Sequence, residues 1–414
     1  MQTVEPVSSS ILEGLDSFTD LSSMPEDFSR FLTTIRRHLH HNPELGLKEF
    51  RTSKFIRKTL DSHGLSVIGP FAGTGLAVDI EGDHPGPFIS YRADMDALPI
   101  QDAKDVSYAS KVPNRAHLCG HDAHTTIGIG VALLLHKLRH LIHGKIRVFF
   151  QPNEEGIPSG APLMIQDGIM DDIEAVFAVH VDPTLHVGRY GLKTGPVTAS
   201  ADIFRIRVHG PSTGHSARPH QSVDTVWVIT QIMNSLYQLV GRITDSRNSA
   251  VITITRVHAG EAYNVIPDMA EFGGTFRCIE DTARNTLKER IVSISNHIAD
   301  MYDARVDVDF EHGAPPVEND EELLDVARAA VKARLGSEAI YNIPVPSMGA
   351  EDFAHYLNKV PGILLRIGTA SGESTSFPLH DAFFDIDETA LEPTAGLMSF
   401  ILISTLQSWT PAHS

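Results

Sequence analysis

The segment Cys119-Gly-His-Asp-Ala-His124 places four side chains that can bind a metal ion or transfer a proton within six residues. Cys119 and His121 are two residues apart, so an extended backbone would turn both side chains to the same face. A thiolate beside an imidazole suits borderline-soft divalent ions such as zinc. A buried cysteine next to a histidine-rich surface turn would give the same sequence motif without binding a metal. The motif therefore predicts a metal site only together with residues elsewhere in the chain.

Further side chains of this kind lie at or beyond the carboxyl ends of apolar segments that are typical of buried strands. The segments are residues 87–91, 145–151, 175–181 and 362–369, and the side chains that go with them are Asp94 and Asp96, Glu154 and Glu155, His180, and His380. Open α/β sheets bind ligands outside the carboxyl ends of their strands. We therefore expect these side chains to share one edge of a sheet.

The adjacent carboxylates Glu154 and Glu155 can divide two roles between them. Neighbouring side chains past a strand point in different directions, so one can bind a metal while the other accepts a proton. Such a pair more commonly lies in a solvated acidic turn, but this pair follows a predicted buried strand and precedes Gly156.

Five candidate ligands exceed the four of one tetrahedral zinc and suit two ions. They are Cys119, His121, Glu155, His180 and His380.

Length, charge and cysteine content narrow the class of protein. A chain of 414 residues with 42% hydrophobic and 21% charged residues is typical of a globular enzyme of two or three domains. Its net charge of −18 argues against nucleic-acid binding. Two cysteines imply no disulfide framework, and we find no secretory signal and no apolar run of about 18 residues. We therefore expect a cytoplasmic protein that does not bind a membrane.

The spacing of apolar residues predicts two domains. Between residues 194 and 312 the predicted element order is βαββαβ, as in a ferredoxin-like α+β domain. It interrupts a larger α/β domain with a doubly wound mixed sheet, built from residues 26–193 and 313–414. Residues 1–25 are predicted to be an N-terminal extension.

Ten motifs extend in order along the chain. They are RRHLHHNPELG, YRADMDALPI, CGHDAH, QPNEEG, AVH at His180, GHSARPH, AYNVIPD, GTFR, GAEDF and LHD. Together they resemble the M20 family of metallo-amidohydrolases over residues 26 to about 405. The resemblance is to the M20D branch, which contains hippurate hydrolase, auxin–amino-acid conjugate hydrolases, N-acyl-amino-acid amidohydrolases and N-acetyldiaminopimelate deacetylase.

The resemblance implies roles for the matching residues. Cys119, His121, Glu155, His180 and His380 stand at the branch's metal ligands, and Glu154 stands at its general base. His215 matches a histidine that contacts the substrate amide oxygen, often in the partner subunit's site. Asn264 and Arg277 match positions near the substrate's carboxylate. The inserted domain matches a lid or dimerisation domain, so we expect a homodimer with two divalent ions per subunit, most commonly zinc, with manganese or cobalt as alternatives.

One position departs from the wider family. Many members have His-x-Asp where this chain has Arg92-Ala-Asp94, so a ligand is missing there and Cys119 is expected to compensate. Asp94 would then either orient a ligand or act as an ordinary turn aspartate. His38, His40 and His41 are assigned to a helix end, with no metal role. Arg277 could also be a strand residue paired with a surface acid.

The expected activity is metal-dependent hydrolysis of the amide bond of an N-acyl amino acid or a related conjugate, giving a carboxylic acid and an amino acid. Glu154 would accept a proton from water and pass it to the leaving amine, while His215 stabilises the oxyanion. Two other enzymes fit the same scaffold, a dipeptidase and an aminopeptidase. A non-catalytic metal-containing binding protein is a different class of alternative, and a structural metal protein is a further one.

Overall fold

The computed structural model describes residues 26–245 and 249–409, and the predicted extension 1–25 lies outside them. The helices are α1 (Glu26–His41), α2 (Phe50–Asp61), α3 (His121–Lys137), α4 (Gly160–Gln166), α5 (Thr225–Tyr237), α6 (Val240–Ile243), α7 (Asp281–Met301), α8 (Glu321–Leu335), α9 (Ala354–Leu357) and α10 (Leu391–Ser408). The strands are β1 (Val67–Phe71), β2 (Gly75–Glu81), β3 (His84–Asp94), β4 (His143–Gln151), β5 (Ala175–His186), β6 (Tyr190–Leu192), β7 (Gly195–Pro196), β8 (Asp202–His209), β9 (Gly214–His215), β10 (Ala250–Ala259), β11 (Val265–Ile266), β12 (Met269–Cys278), β13 (Arg305–His312), β14 (Glu318–Asn319), β15 (Ile340–Asn342) and β16 (Gly362–Ala370).

The chain divides into two compact units. Unit 1 contains the described residues up to Gly195, together with Glu318–Pro344 and the described residues from His355 onward. Unit 2 contains Pro196–Val317 and Val345–Ala354. The predicted boundaries differ from this division, because residues 313–317 and 345–354 were assigned to the larger domain. Backbone bonds explain the difference: Val197 N donates to Val317 O (2.7 Å) and Ala199 N to Ser347 O (2.9 Å).

Unit 1 is built on an eight-stranded sheet in the order β1-β2-β4-β3-β5-β16-β6-β15. Strands β4, β3, β5 and β16 are parallel neighbours, whereas β1, β2 and β6 introduce antiparallel pairs. The central strands are apolar on both faces and nearly fully buried, as expected of a sheet covered by helices. The mixed α/β fold agrees with the prediction. It brings the carboxyl ends of β3, β4 and β5 to one edge.

Helix α3 is the central helix of unit 1, and its residues from His121 to Leu135 are all buried. It packs against α1, α10 and the sheet. Gly128 allows the close approach to the sheet, because a β-carbon there would lie 2.9 Å from the β-carbon of Ala93. The largely apolar sequence after the Cys119 motif predicts a helix from residue 125 to about residue 142. The structure starts it at His121, immediately after Gly120, whose φ of 83° is left-handed.

The start of α3 corrects the predicted geometry of the metal-binding motif. Cys119 and His121 are not successive same-face residues of an extended strand. Gly120 turns the chain through a left-handed conformation that favours glycine, and a β-carbon there would also lie 2.4 Å from Val181 Cγ2. Cys119 therefore ends a loop, and His121 occupies the first turn of a helix.

Unit 2 follows the element order β8-α5-β10-β12-α7-β13. Its four-stranded antiparallel sheet has the order β10-β12-β8-β13, which is the ferredoxin-like arrangement. Helices α5 and α7 pack with each other and against the sheet around a core that includes Phe204, Phe272 and Phe276. A two-stranded sheet of β9 and β11 completes unit 2 among its described residues.

One segment of unit 1, Glu388–Ser408, is long and apolar enough to cross a membrane by length and composition. Inside the protein, 72% of its most apolar window is buried. It contains helix α10, whose buried residues belong to the same core as α3. This burial is typical of the core helix of a globular domain.

Candidate metal centre

The structure brings all five predicted ligands together in unit 1, beside Glu154. Their ligand atoms form three overlapping groups, and within each group the atoms lie no more than 4.8 Å apart. The groups are Cys119, His121 and His180; Cys119, Glu155 and His380; and His121, Glu154 and Glu155. Residues from four separate parts of the chain thus converge near the carboxyl ends of β3 and β4, beside His180 of β5.

His121 presents one ring nitrogen to this cluster and anchors the other. Its Nδ1 lies 3.0 Å from Asp96 O and 3.1 Å from Asp96 Oδ1. Its Nε2 is buried without a hydrogen-bond partner, 3.9 Å from both Asp94 Oδ2 and Glu154 Oε2. Burial opposes protonation, but the carboxylates of Asp94 and Asp96 outweigh it and raise the pKa of His121 well above its ordinary value. A pocket that attracts a proton so strongly also fits a divalent cation.

Cys119 and His180 lie side by side, with Sγ 3.6 Å from Nε2. The His180 Nδ1 is within 2.8 Å of its neighbour's carbonyl, Val181 O, so Nδ1 donates there and Nε2 is left for a metal. Burial lowers the pKa of His180 and keeps its ring neutral, which is the form that binds metals. Burial raises the pKa of the Cys119 thiol to about 12, so a bound cation would have to displace its proton.

Glu155 and His380 form the more accessible side of the cluster. His380 Nε2 lies 3.0 Å from Glu155 Oε1, and the His380 side chain is 47% exposed. The His380 backbone is left-handed (φ 69°), and its N–H donates to Leu118 O at 2.8 Å, one residue before Cys119. The Glu155 N–H donates to Asp96 Oδ2 at 3.1 Å. Asp96 therefore supports both His121 and Glu155.

Glu154 and Glu155 meet different partners, although their carboxylates lie close together, with ligand atoms within 4.8 Å of each other. Glu154 Oε2 lies 3.9 Å from His121 Nε2, whereas Glu155 Oε1 lies 3.0 Å from His380 Nε2. The backbone before Glu154 is tightly held, because Asn153 has a left-handed φ of 57° and its side-chain amide donates to Pro158 O at 2.8 Å. The Glu154 side chain is 10% exposed.

Asp94 and His124 are also buried here, but their contacts assign them a supporting position. His124 Nδ1 lies 2.7 Å from Asp94 Oδ1, and its Nε2 accepts the Val181 N–H at 2.9 Å. With both nitrogens engaged, His124 has none left for a metal. Burial opposes ionisation of Asp94, but His121, His124 and Arg92 lower its pKa well below the ordinary value.

Arg92 lies at the position where the family resemblance led us to expect a histidine ligand in many members. It is fully buried, donates to Asp94 Oδ2 at 2.6 Å and to Gln151 Oε1 at 2.8 Å. A guanidinium is a donor only and cannot bind a cation. The structure therefore supports the expectation that Asp94 orients other groups over the alternative of a simple turn aspartate.

Asp96 contacts two candidate ligands, and sequence analysis predicted its position but not these contacts. It was named as an acid after a strand, without a role. Its carboxylate bonds two candidate ligand residues, which lie 25 and 59 residues away in the chain. The one available signal was its place two residues after Asp94 in Arg92-Ala-Asp-Met-Asp96.

The predicted substrate contacts lie in unit 2. His215 pairs with Val265 between β9 and β11, and its Nδ1 accepts the Ala217 N–H at 3.1 Å. Asn264 O accepts the Ser216 N–H at 3.1 Å, which keeps Asn264 next to the His215 loop. Arg277, on β12, donates to Met348 O at 3.1 Å. Their roles toward a substrate stay predictions.

Comparison with known proteins gives one consistent family. The model described as peptidase family M20/M25/M40 matches residues 91–403. The N-acetyl-L-cysteine deacetylase of Bacillus subtilis (strain 168) is 39% identical over 361 residues, which cover 87% of this chain and 84% of that protein. The thermostable carboxypeptidase 2 of Saccharolobus solfataricus is 36% identical over 382 residues, covering 91% and 96%.

A solved structure has the same fold. The Bacillus subtilis YXEP protein, described as a dinuclear metal binding peptidase from the M20 family, superposes with a TM-score of 0.82 and 36% identity. The match covers 93% of this chain and all of that one.

Proposed function

This chain belongs to the M20 peptidase family, and we propose that it hydrolyses the amide bond of N-acyl amino acids, releasing a carboxylic acid and an amino acid. The single observation that carries this proposal is the convergence of five ligand-type side chains beside Glu154 in a buried acidic pocket. The name of the N-acetyl-L-cysteine deacetylase relative supports an acylated amino acid as substrate.

We propose that two divalent ions occupy this pocket, with zinc as the first expectation and manganese or cobalt as alternatives. The unpartnered His121 Nε2 and the mixed thiolate, imidazole and carboxylate donors fit such ions. Cys119, His121 and His180 would hold one ion and Cys119, Glu155 and His380 the other. When bound, the ions supply the Lewis acidity that lowers the pKa of water toward about 7.

Glu154 is the proposed general base. Its carboxylate lies 3.9 Å from His121 Nε2 and does not form the pair that Glu155 forms with His380. From there it would take a proton from the attacking water and later deliver that proton to the leaving amine nitrogen, so that it serves first as base and then as acid. Its low exposure keeps bulk water from competing for the proton.

His215, Asn264 and Arg277 are proposed to recognise the substrate. Only the family resemblance supports these assignments. His215 would donate to the developing oxyanion, and Arg277 would bind the substrate carboxylate through its planar guanidinium. If Arg277 is merely a strand residue, Arg277→Lys should leave the KM for an N-acyl amino acid unchanged.

We also propose a homodimer and a reducing, cytoplasmic location. Strand β10 is an edge strand of the unit 2 sheet, and Val251 and Val257 on it are exposed. An exposed apolar edge strand is a ready template for pairing with a second chain. Both cysteines are free, which suits a reducing compartment. Light scattering of the purified protein tests the dimer, and Val257→Lys is expected to shift it toward monomer.

The proposed activity is tested with a panel of N-acetyl, N-benzoyl and longer N-acyl amino acids, assayed after chelation and again after adding zinc, manganese or cobalt. We expect turnover that disappears on chelation and returns with an added ion. Metal-dependent turnover of any member of the panel excludes a non-catalytic binding protein. No turnover with any ion would contradict the proposal.

A peptidase is the second candidate function. It is favoured by the relative named thermostable carboxypeptidase 2, which matches nearly the full length of both chains. Unblocked dipeptides in the same panel separate the two candidates. A kcat/KM for dipeptides above that for every N-acyl amino acid would favour the peptidase.

A further inference from the structure

Helix α1 carries a fully buried cation, Arg36, with a side-chain exposure of 0%. Its guanidinium donates from three nitrogens to three different carboxylates. Nε lies 2.9 Å from Asp122 Oδ2, Nη2 lies 2.6 Å from Asp385 Oδ1, and Nη1 lies 3.3 Å from Glu388 Oε1. None of these residues belongs to the set of candidate ligands or the base.

The three carboxylates lie on two segments that each carry a candidate ligand. Asp122 is the residue after His121, in the first turn of α3. Asp385 and Glu388 follow His380 by five and eight residues. Residues 380–387 form no helix or strand, so tertiary bonds must set their position. Arg36 supplies a direct bridge between the helix that begins at His121 and the loop that begins at His380.

Neighbouring bonds hold the same bridge from both sides. His40 Nδ1 lies 2.7 Å from Asp122 Oδ2, the oxygen that Arg36 also contacts. Tyr108 donates to the other oxygen of Asp385 at 2.8 Å. Sequence analysis assigned His40 to a helix end, with no metal role. It does lie in the last turn of α1, but it is buried and takes part in this network.

The type of residue matters for such a bridge. Arginine presents five donors in a rigid planar fork, whereas lysine offers one compact charge. A lysine at position 36 could preserve the buried charge but could not reach carboxylates on both segments at once.

We propose that Arg36 is a positioning residue for the metal centre. It fixes the separation between the His121 end of α3 and the loop that carries His380, without contacting either ligand. The inference rests on the proposed function for the presence of metal ions, and its main test is metal binding, which needs no substrate.

The test compares Arg36→Lys with Arg37→Lys in the full-length, metal-loaded protein. Arg37 is a matched control, because it is the next residue on α1 and contacts Glu388 at 2.6 Å, but its side chain is 45% exposed. Each purified variant is titrated with a competing chelator, and the ion content per chain is measured. Residues that orient metal ligands typically change metal affinity by about 10–100-fold. We expect a loss of about 10-fold or more for Arg36→Lys and none beyond about 2-fold for Arg37→Lys.

Kinetics provide a second readout. If Arg36 acts through the metal centre, excess metal should restore most of the kcat of Arg36→Lys. If the variant is merely less stable, the kcat per folded molecule should not change when more metal is added. Asp385→Asn covers the case in which Arg36→Lys does not fold. It leaves Arg36 paired with Asp122 and Glu388 and weakens only one anchor of the loop. The same loss of ion affinity is expected.

Two outcomes separate the possible failures. If the parent protein binds ions and the folded Arg36→Lys or Asp385→Asn variant binds them equally tightly, the positioning role is wrong and the proposed function stands. If the parent binds no divalent ion, the proposed function itself fails.

Discussion

The carboxylate of Glu49 accepts the backbone N–H of Asn153 at 3.0 Å, although 104 residues separate them in the chain. The other Glu49 oxygen accepts the hydroxyl of Thr74 at 2.8 Å. Asn153 immediately precedes Glu154 and Glu155. The Glu49 side chain, which sequence analysis had not singled out, therefore anchors the loop that carries both carboxylates.

Glu49 should make the stability of the protein depend on pH. Burial raises its pKa from 4.5 to about 7, with Thr74 opposing and Asp96 adding to the shift. Because the folded-state pKa is raised, its stabilising contribution is complete below pH 4.5 and is lost as the pH rises through about 7. This change in pKa corresponds to at most about 3 kcal/mol.

Glu49→Gln removes this dependence. The free energy of unfolding of the variant, relative to the parent, is expected to rise by up to about 3 kcal/mol between pH 4.5 and 8. Urea unfolding at several pH values measures it, with the exposed Glu81→Gln on β2 as a control. A difference between parent and Glu49→Gln that is the same at every pH would contradict the raised pKa.

Gly46 should be intolerant of a side chain. A β-carbon there would lie 1.8 Å from Asn153 Oδ1, so Gly46→Ala must displace Asn153 and with it the Glu154 backbone. A misplacement of about 1 Å can cost about 100-fold in rate. We expect kcat to fall by about 10–100-fold, measured on the best N-acyl substrate. Gly241→Ala is the control and should retain full activity, because no atom of the described residues lies within 4 Å of a β-carbon at that position.

Substitutions of Glu154 and Glu155 should have different effects on kcat and on ion content. Glu154→Gln removes the proposed base but leaves the candidate ligands in place, so we expect more than about 1,000-fold loss of kcat with normal ion content. Glu155→Gln should instead lose affinity for ions. Ion content by plasma emission spectrometry and kcat are measured on the same samples. Full activity of a metal-loaded Glu154→Gln enzyme would remove Glu154 from the mechanism.

Asp96 should control metal affinity without touching a metal. It contacts His121 and Glu155, and loss of such a partner typically costs about 10–100-fold in metal affinity or activity. Asp96→Asn is therefore expected to bind zinc about 10–100-fold more weakly in competition with a chelator. Asp79→Asn provides the comparison, because Asp79 pairs with Lys145 and Arg147 on the surface of the sheet. Equal affinities for the two variants would argue against this role.

Substitution of His215 should lower kcat without changing the metal content. Removal of one oxyanion donor typically costs about 100–1,000-fold in kcat, and we expect His215→Ala to fall in this range with unchanged metal content. An unchanged kcat would show that His215 does not stabilise the oxyanion.

Strands and candidate ligands were accessible to sequence reasoning because both have local signals. The apolar run predicted at 145–151 agrees with β4 to within two residues, and the predicted strand 269–278 coincides with β12. Strand β1 was missed, since Val-Ile-Gly-Pro-Phe contains a glycine and a proline that normally disfavour a strand. The start of α3 was missed because Gly120 precedes it in place of an N-cap serine, threonine or aspartate.

The supporting residues were not accessible in the same way. Asp96, Glu49 and Arg36 all contact partners that lie between 25 and 352 residues away in the chain. A single sequence shows the type of such a residue but not which distant group it meets. The candidate ligands could be proposed from their motifs, whereas the side chains that contact them are visible only in the structure.

Strand β16 lies between β5 and β6 in the unit 1 sheet. Both neighbours precede unit 2's first segment in the sequence, whereas β16 follows it. A ribosome therefore completes β5 and β6 long before their common neighbour exists. Until β16 emerges, the nascent chain exposes unpaired strand edges that can associate with other chains. His380 follows β16, so the last of the candidate ligands is made only after this gap can close. If the proposed ions bind, the complete site can be loaded only late in synthesis or after it.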